Sequence, residues 1–380
     1  MDNKIEIGGM KMGMKAWLYA MIAVYKRNLK ILRRQKQLLV TPFILPIVVL
    51  ILVSTIMGGS DSWPIGLIDK SDTGASHELI NSLESVHSEL APYFNVIETD
   101  SEKAQDGVKE GRLHMVITIP EDFQNTNKVY TDTYNINTDM MKNVKLRLEH
   151  GLLKEMDHRG DLQIETNLLT EKPYAVPRSA FFAGSAFLLS LMLSATIVAA
   201  NLFSFDRENR TRKEILLTPV GIHAAGYGIM LASGTVAILA SLPTLLLGIF
   251  AFQLDLHHLI QVYLIMIPVM IMCATIGMII AHFLKRFHIL QPIIIITFIG
   301  TFFAAGGFAG VSMLPPIARG FSTFWLFSYI FEWLNPLLHG FSTNLSSMQY
   351  LLLTLSGVLG IFLVPFIYRR ELRGDINGGQ

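Results

Sequence analysis

Charge is scarce in this chain: 16% of its 380 residues are Asp, Glu, Lys or Arg, against 51% that are hydrophobic. A soluble domain of comparable length carries roughly a quarter charged residues. Cysteine is scarcer still. Cys273 stands alone, so no internal disulfide forms, and no Cys/His spacing marks a metal site. Lying midway through an apolar run, Cys273 reads as a small hydrophobic filler. An excess of basic charge is missing too, because the formal net charge is +1. That balance argues against nucleic acid as a partner, which calls for a basic patch on a folded face.

Catalytic motifs are equally absent. No Gly-x-Ser-x-Gly elbow and no His-Glu-x-x-His pair occurs. The run from Gly8 to Lys15 (GGMKMGMK) is the nearest approach to a phosphate loop, but it lacks the Gly-Lys-Ser/Thr ending and no strand precedes it. The expectation is a chain that is not itself an enzyme and draws any energy from a partner.

What the sequence has instead is long uncharged runs. A helix needs roughly 20 apolar residues to cross the hydrocarbon core. Leu38–Met57 meets this, with Pro42 and Pro46 placed to kink its first half. It starts too late, is too long, and lacks the small-residue site of a cleaved signal. Five further runs follow at about Phe181–Phe205, Gly226–Phe252, Leu259–Leu284, Ile289–Phe308 and Leu351–Tyr368. None carries Asp, Glu, Lys or Arg away from its ends, whereas proton- or sodium-coupled carriers retain buried acids for function. A secondary carrier is therefore disfavoured.

The charges that exist are segregated. Between Asp61 and Arg178 there are 21 acidic and 12 basic residues; the rest of the chain has 9 and 19. Lys26, Arg27, Lys30, Arg33, Arg34 and Lys36 precede the first run, and Arg207, Arg210, Arg212 and Lys213 follow the second. Lys285 with Arg286, and Arg369, Arg370 and Arg373, mark the remaining loops on that side. The opposite loops hold Asp255, His257, His258 and Arg319. The positive-inside rule then places both termini in the cytoplasm. From Lys15 to Gln37, Trp17, Leu18, Met21, Ile22, Tyr25, Leu29 and Leu32 recur at helical spacing among basic residues, as in an amphipathic helix at the inner interface. An ordinary juxtamembrane basic stretch is the alternative.

The polar block from Ser62 to Pro177 alternates strand and helix signals. Strands are expected at Trp63–Ile68, Phe94–Glu98, Met115–Ile119 and Val129–Asn135, and helices at His77–Leu90, Ser101–Gly111 and Asp139–Met156. His77, His87, His114, His150 and His158 show no ligand spacing and no paired acid at helical distance. The fold class is thus an α-helical polytopic membrane protein with six transmembrane helices and an inserted extracellular α/β domain. Its expected parts are a tail and interfacial helix over 1–37, a first span at 38–57, the extracellular domain at 58–178, a bundle of five spans at 179–368, and a cytoplasmic tail at 369–380.

The loop after the second span reads Phe205 to Val220 (FDRENRTRKEILLTPV). Thr218 and Pro219 stop a helix, while Ile215, Leu216 and Leu217 give it an apolar face beside Arg212, Lys213 and Glu214. A solvated basic loop is the plain alternative. The segment resembles the signature loop of the type-2 ABC exporter permeases, an acidic-Arg-Glu start followed by a small polar residue, Glu, an apolar pair and Thr-Pro-Val. Asp206, Arg207, Glu208, Thr211, Glu214, Leu216, Leu217, Thr218 and Pro219 match it; Arg210 stands where that family usually has glycine. Trp63–Asp72 (WPIGLIDKSD) and His114–Phe123 (HMVITIPEDF) look like the branch with a large outside domain, more loosely.

The resemblance implies that 206–224 forms a coupling helix docking on a separate cytoplasmic ATPase, which binds ATP and Mg, so that this chain needs no cofactor of its own. It also implies a second permease copy or a related permease, and export of a drug, antibiotic, lipid or glycan from the cell membrane. Between the last two spans, Gly320–Glu332 (GFSTFWLFSYIFE) is apolar but too short to cross. The family places gate-forming half-helices there, within an outer re-entrant segment 311–345, which assigns Phe324, Trp325, Glu332, Asn335 and Pro336 to an outer gate. An aromatic anchor at the interface is the alternative for that segment. A membrane-anchored surface receptor or cell-envelope interaction protein using the outside domain is the competing function.

Overall fold

Long uncharged runs satisfy their backbone polar groups most completely as helices, and helices form where hydropathy is high. The computed structural model describes residues 4–7, 10–57, 62–86, 92–109, 113–126, 128–132, 147–148, 176–209, 211, 223–254, 257–284, 287–308, 316–340 and 344–377. Two compact units result, Gly59–Leu168 with Pro173–Ala175, and the remainder of the chain.

The larger unit opens with a hairpin of β1 (Lys4–Ile7) and β2 (Met10–Gly13), Lys4 opposite Gly13. This hairpin is a correction to the sequence reading: β1 ends immediately before the Gly8–Lys15 run, where no strand was expected, and β2 takes up part of the run, which still lacks the Gly-Lys-Ser/Thr ending. Helix α1 (Met14–Arg34) follows, then α2 (Gln37–Met57). After the smaller unit come α6 (Arg178–Glu208), α7 (His223–Phe252), α8 (Leu259–Phe283) and α9 (Phe287–Ala304). Two short helices, α10 (Pro316–Phe324) and α11 (Leu326–Leu338), precede the long α12 (Ser347–Asn377).

By length and composition, α2, α6, α7, α8 and α12 can each cross a membrane. The fifth expected span, Ile289–Phe308, is a shorter helix. Its helix stops at Ala304 because Gly306 takes φ 101°, which glycine adopts readily, and the Phe308 amide turns back to the Phe302 carbonyl at 2.8 Å.

Helix α6 is the axis of this unit, buried along its whole apolar stretch, with α2, α7, α8, α9 and α11 packed around it. Small residues allow close approach: a Cβ on Gly277 of α8 would run into the Thr196 carbonyl of α6. Cys273 is fully buried in α8, as a core filler should be. The outer faces remain apolar and exposed. Val40, Ile44, Val48 and Ile51 form one such stripe on α2, and Leu351, Leu355, Leu359, Phe362 and Phe366 another on α12. Exposed aliphatic stripes of this extent are built for hydrocarbon, not water.

In the smaller unit β3 (Trp63–Asp69) lies between β4 (Phe94–Glu98) and β5 (Met115–Ile119), parallel to both, with β6 (Tyr130–Asp132) antiparallel beyond β5. Helix α3 (Gly74–Ser85) connects β3 to β4, α4 (Ser101–Lys109) connects β4 to β5, and α5 (Phe123–Thr126) follows β5. Strand alternation gives two cores. Ile65, Leu67, Met115, Ile117 and Ile119 pack with Leu79 and Leu83 of α3. Ile68 and Val116 pack with Ala104 and Val108 of α4 on the other face. The polar helix expected at Asp139–Met156 falls almost wholly outside the described residues.

Candidate functional site

The loop signature begins while α6 is still helical, and its first three residues have three different surroundings. Asp206 is buried and forms an ion pair with Arg27 of α1. Arg207 donates from Nη1 to the Ala281 carbonyl at 2.8 Å and from Nη2 to the Leu284 carbonyl at 3.3 Å. A cation thus sits on the carbonyls that the end of α8 leaves without amide donors. Glu208 is exposed, and Thr211 is half-buried. Glu214, Leu216, Leu217, Thr218 and Pro219 lie outside the described residues. The chain therefore leaves α6 from a root tied to both α1 and α8.

Sequence reasoning placed Asp206 on the loop but did not find its partner. Arg27 lies 179 positions away, inside a run of interchangeable basic residues, and only the tertiary packing of α1 singles it out. That packing is specific. Val24 of α1 sits in the notch left by Gly228 of α7, where a Cβ would come within 2.7 Å of its side chain. Trp17 meets Tyr227 edge-on at 5.6 Å between ring centroids.

At the other end of the bundle, the apolar segment too short to cross lies on two short helices, α10 and α11. The break falls at Trp325, which caps α11, and α11 runs on through Trp333, Asn335 and Pro336. Trp325 Nε1 donates to Thr301 Oγ1 at 2.9 Å, and Ser322 Oγ donates to the Ala304 carbonyl at 2.8 Å, fastening α10 and the break to the end of α9. Asn335, buried in α11, donates from Nδ2 to Ser185 Oγ of α6 at 2.7 Å. Its Oδ1 faces Gly184, where a Cβ would lie 2.7 Å from Oδ1 and 2.8 Å from His339 Nε2. The His257 amide closes the far end of α11 by donating to the Leu338 carbonyl at 3.0 Å. The α10–α11 pair thereby bridges the ends of α9 and α6. Of the five residues assigned to the gate, Trp325 and Asn335 make these ties, Pro336 lies within α11, and Phe324 and Glu332 are exposed. Glu332 forms no ion pair among the described residues, with Arg319 or otherwise.

One grouping in the smaller unit escaped sequence inspection. The turn after β3 brings Asp69, Asp72 and His77 together, with ligand atoms within 4.8 Å of one another. Asp69 accepts from Ser76 Oγ at 2.7 Å and from the amides of Ser71 and Asp72, and Thr73 and Ser76 complete a capping box on α3. Burial is the largest single influence on Asp69 and opposes ionisation. The hydrogen bonds from Ser76, Asp72 and Ser71, with the nearby His77, together outweigh it and hold the carboxyl below its ordinary pKa. Those bonds give Asp69 a structural task, the start of α3.

A buried axial helix, apolar outer faces and long apolar helices whose charges lie only at their ends define a multi-pass helical membrane protein. The family model for the ABC-2 family transporter protein matches residues 36–367, and the chain belongs to that family. It is accordingly a transmembrane permease component of an ABC transporter, of a kind that is generally not catalytic itself and associates with an ABC ATPase. No curated protein matches the chain.

Proposed function

We propose that this chain is the membrane-spanning subunit of an ATP-driven exporter, that it crosses the membrane six times, and that both termini are cytoplasmic. A separate ABC ATPase binds ATP and Mg and docks on the segment beginning at Asp206. A second permease, identical or related, completes the translocation path. The cargo is a hydrophobic or amphipathic molecule such as a drug, antibiotic, lipid or glycan. The observation that carries this reading is the division of labour at Asp206, Arg207 and Glu208. The first two clamp the loop root to α1 and α8, so a push on the loop reaches both helices, while Glu208 stays exposed for a partner. The basic inner loops and the scarcity of charge within the spans support the orientation and the need for an external energy source. At the other end, Phe324, Trp325, Glu332, Asn335 and Pro336 form the outer gate, and the α/β unit stands outside the cell.

The test is Leu217→Asp, examined beside the wild type with the ATPase co-expressed. The variant should reach the membrane folded yet lose ATPase co-purification and transport, because a carboxylate in an apolar docking groove would go unpaired. Wild-type transport by the variant would reduce the loop to a solvated connector. ATP turnover by the isolated polypeptide would sink the permease reading altogether.

A further inference from the structure

Helix α1 has two faces with different tasks, and among the described residues only one packs inside the protein. Trp17, Met21, Val24, Asn28 and Leu32 recur at helical spacing on the packed side, against which α7 closes. The opposite side carries Lys15, Tyr19, Lys26, Lys30, Arg33 and Arg34, all exposed, Tyr19 by 74%. None of these cations forms an ion pair among the described residues; the ion pair made by α1 uses Arg27, which sits to one side of the stripe. No acidic residue occurs anywhere from Met14 to Met57, so the stripe has no counter-charge on its own element.

Its depth is fixed by the chain. Gln35 and Lys36 alone separate α1 from α2, and their turn is closed by the Leu38 amide on the Gln35 carbonyl at 3.0 Å and the Leu39 amide on the Lys36 carbonyl at 2.9 Å. The uncharged part of α2 begins at Gln37, so Arg33 and Arg34 lie about one helical turn from the hydrocarbon boundary. That is the level of lipid phosphates. Exposed Leu18 and Tyr19 on the same helix supply the apolar and aromatic contacts of an interfacial segment.

We propose that the Lys26–Lys30–Arg33–Arg34 face of α1 binds the phosphate headgroups of anionic phospholipids in the leaflet that α2 enters. Only the naming of that leaflet as the inner one rests on the proposed orientation. Four cations beside a membrane span, with no acidic residue on their own element, give phosphates a better match than zwitterionic headgroups. The occupied helix is also the one that holds Asp206 through Arg27, so lipid binding would steady the root of the loop.

The test needs no ATPase, so it stands or falls apart from the coupling assignment. The full chain is reconstituted in phosphatidylcholine vesicles, and spin-labelled phosphatidylglycerol is compared with spin-labelled phosphatidylcholine for the immobilised fraction at the protein surface. Wild type should favour phosphatidylglycerol. The quadruple variant Lys26→Gln, Lys30→Gln, Arg33→Gln and Arg34→Gln should lose about fivefold or more of that preference, since one headgroup-level cation is worth roughly that factor. Exchanging Lys for Arg and Arg for Lys at the four positions should keep it. Removing Lys285 and Arg286 charge by Gln should have the smaller effect. An unchanged preference in the folded quadruple variant would overturn the proposal. So would displacement of the lipid by millimolar inorganic phosphate, which would make the site one for free anions.

Discussion

The Ser194 hydroxyl of α6 donates to the Pro42 carbonyl of α2 at 3.0 Å, and Pro42 is the residue whose carbonyl Pro46 leaves without an amide donor. The same relation recurs one proline earlier. Pro42 frees the Leu38 carbonyl, which accepts from Asn201 Nδ2 at 3.4 Å, and Gln291 Nε2 in turn donates to Asn201 Oδ1 at 3.3 Å. On α12, Pro365 frees the Ile361 carbonyl, and Tyr227 Oη donates to it at 3.1 Å. Proline inside a span is tolerated because a neighbouring helix repairs the ladder.

That repair makes a double-mutant test. Ser194→Ala alone should destabilise the folded chain by about 0.6 kcal/mol, and by no more than about 1.7, the range of single interhelical hydrogen bonds in membranes. With Pro46→Ala already present, the Pro42 carbonyl regains its amide partner and the Ser194 effect should shrink toward zero. Equal effects in both backgrounds, measured by reversible unfolding in mixed micelles, would show that the hydroxyl does not answer to the proline.

The Arg27–Asp206 pair predicts a coupling phenotype distinct from misfolding. Asp206 is buried while the Arg27 side chain remains 31% exposed, so removing either partner should fall at or below the roughly 3–5 kcal/mol typical of broken buried pairs. Asp206→Asn strands the guanidinium but keeps the volume. We expect it to lower transport per ATP hydrolysed while the complex still assembles, and the exchange of Arg27→Asp with Asp206→Arg to restore part of the loss. Two singles that are additive in transport rate, with no rescue on exchange, would remove the pair from the coupling path.

How much of this could be read in advance depends on where the determining contact lies. The span positions came from uninterrupted local hydropathy, and α2, α7 and α8 match their expected runs to within a few residues. The strands at Phe94–Glu98 and Met115–Ile119 likewise follow from short β-branched and aromatic runs. The break at Trp325 could not be seen. Gly320–Glu332 has no proline and no internal glycine, and the helix stops where the indole reaches Thr301, a contact made across the fold. Pro336 lies inside α11, which runs on to Leu338. Asp69 and His77 look unrelated until the turn at Asp72, with φ 46°, folds one onto the other. The loop beyond Thr211 reads as a motif in the sequence, and the residues described in space are its root.

A pH dependence is expected in the α/β unit. Burial beside Trp63, with ring centroids 4.9 Å apart, holds the His114 imidazole below its ordinary pKa. A depressed histidine pKa means that the unfolded chain takes up a proton first, at about pH 6.5. The stability contribution of neutral His114 is therefore complete above about pH 6.5 and declines as pH falls toward the folded value. Hydrogen exchange of the β5 amides in the full chain, corrected for intrinsic rate, should show weaker protection near pH 5.5 than near 7.5. His114→Gln should flatten that difference, and an undiminished slope in the variant would place the titrating group elsewhere.

The α10–α11 pair gives the sharpest steric prediction, because Gly184 leaves room for Asn335 and His339 and for nothing more. Gly184→Ala would place a methyl 2.7 Å from Asn335 Oδ1, closer than carbon and oxygen can sit without one moving. Either α11 shifts away from α6 or the Asn335–Ser185 hydrogen bond turns, at an overpacking cost of about 1–3 kcal/mol. Gly234→Ala is the matched control, since a Cβ there meets nothing within 4 Å. If α11 belongs to the gate, Gly184→Ala and Asn335→Ala should change the rate of cargo release while leaving ATPase co-purification intact, and Gly234→Ala should behave as wild type. Glu332→Gln separates gate from anchor on the same helix. Its carboxylate is exposed, so a change in release would place it on the cargo path, and wild-type behaviour would leave that role to the buried side of α11. If Gly184→Ala, Asn335→Ala and Glu332→Gln all release cargo at the wild-type rate, α10 and α11 are interfacial anchors and the gate lies elsewhere.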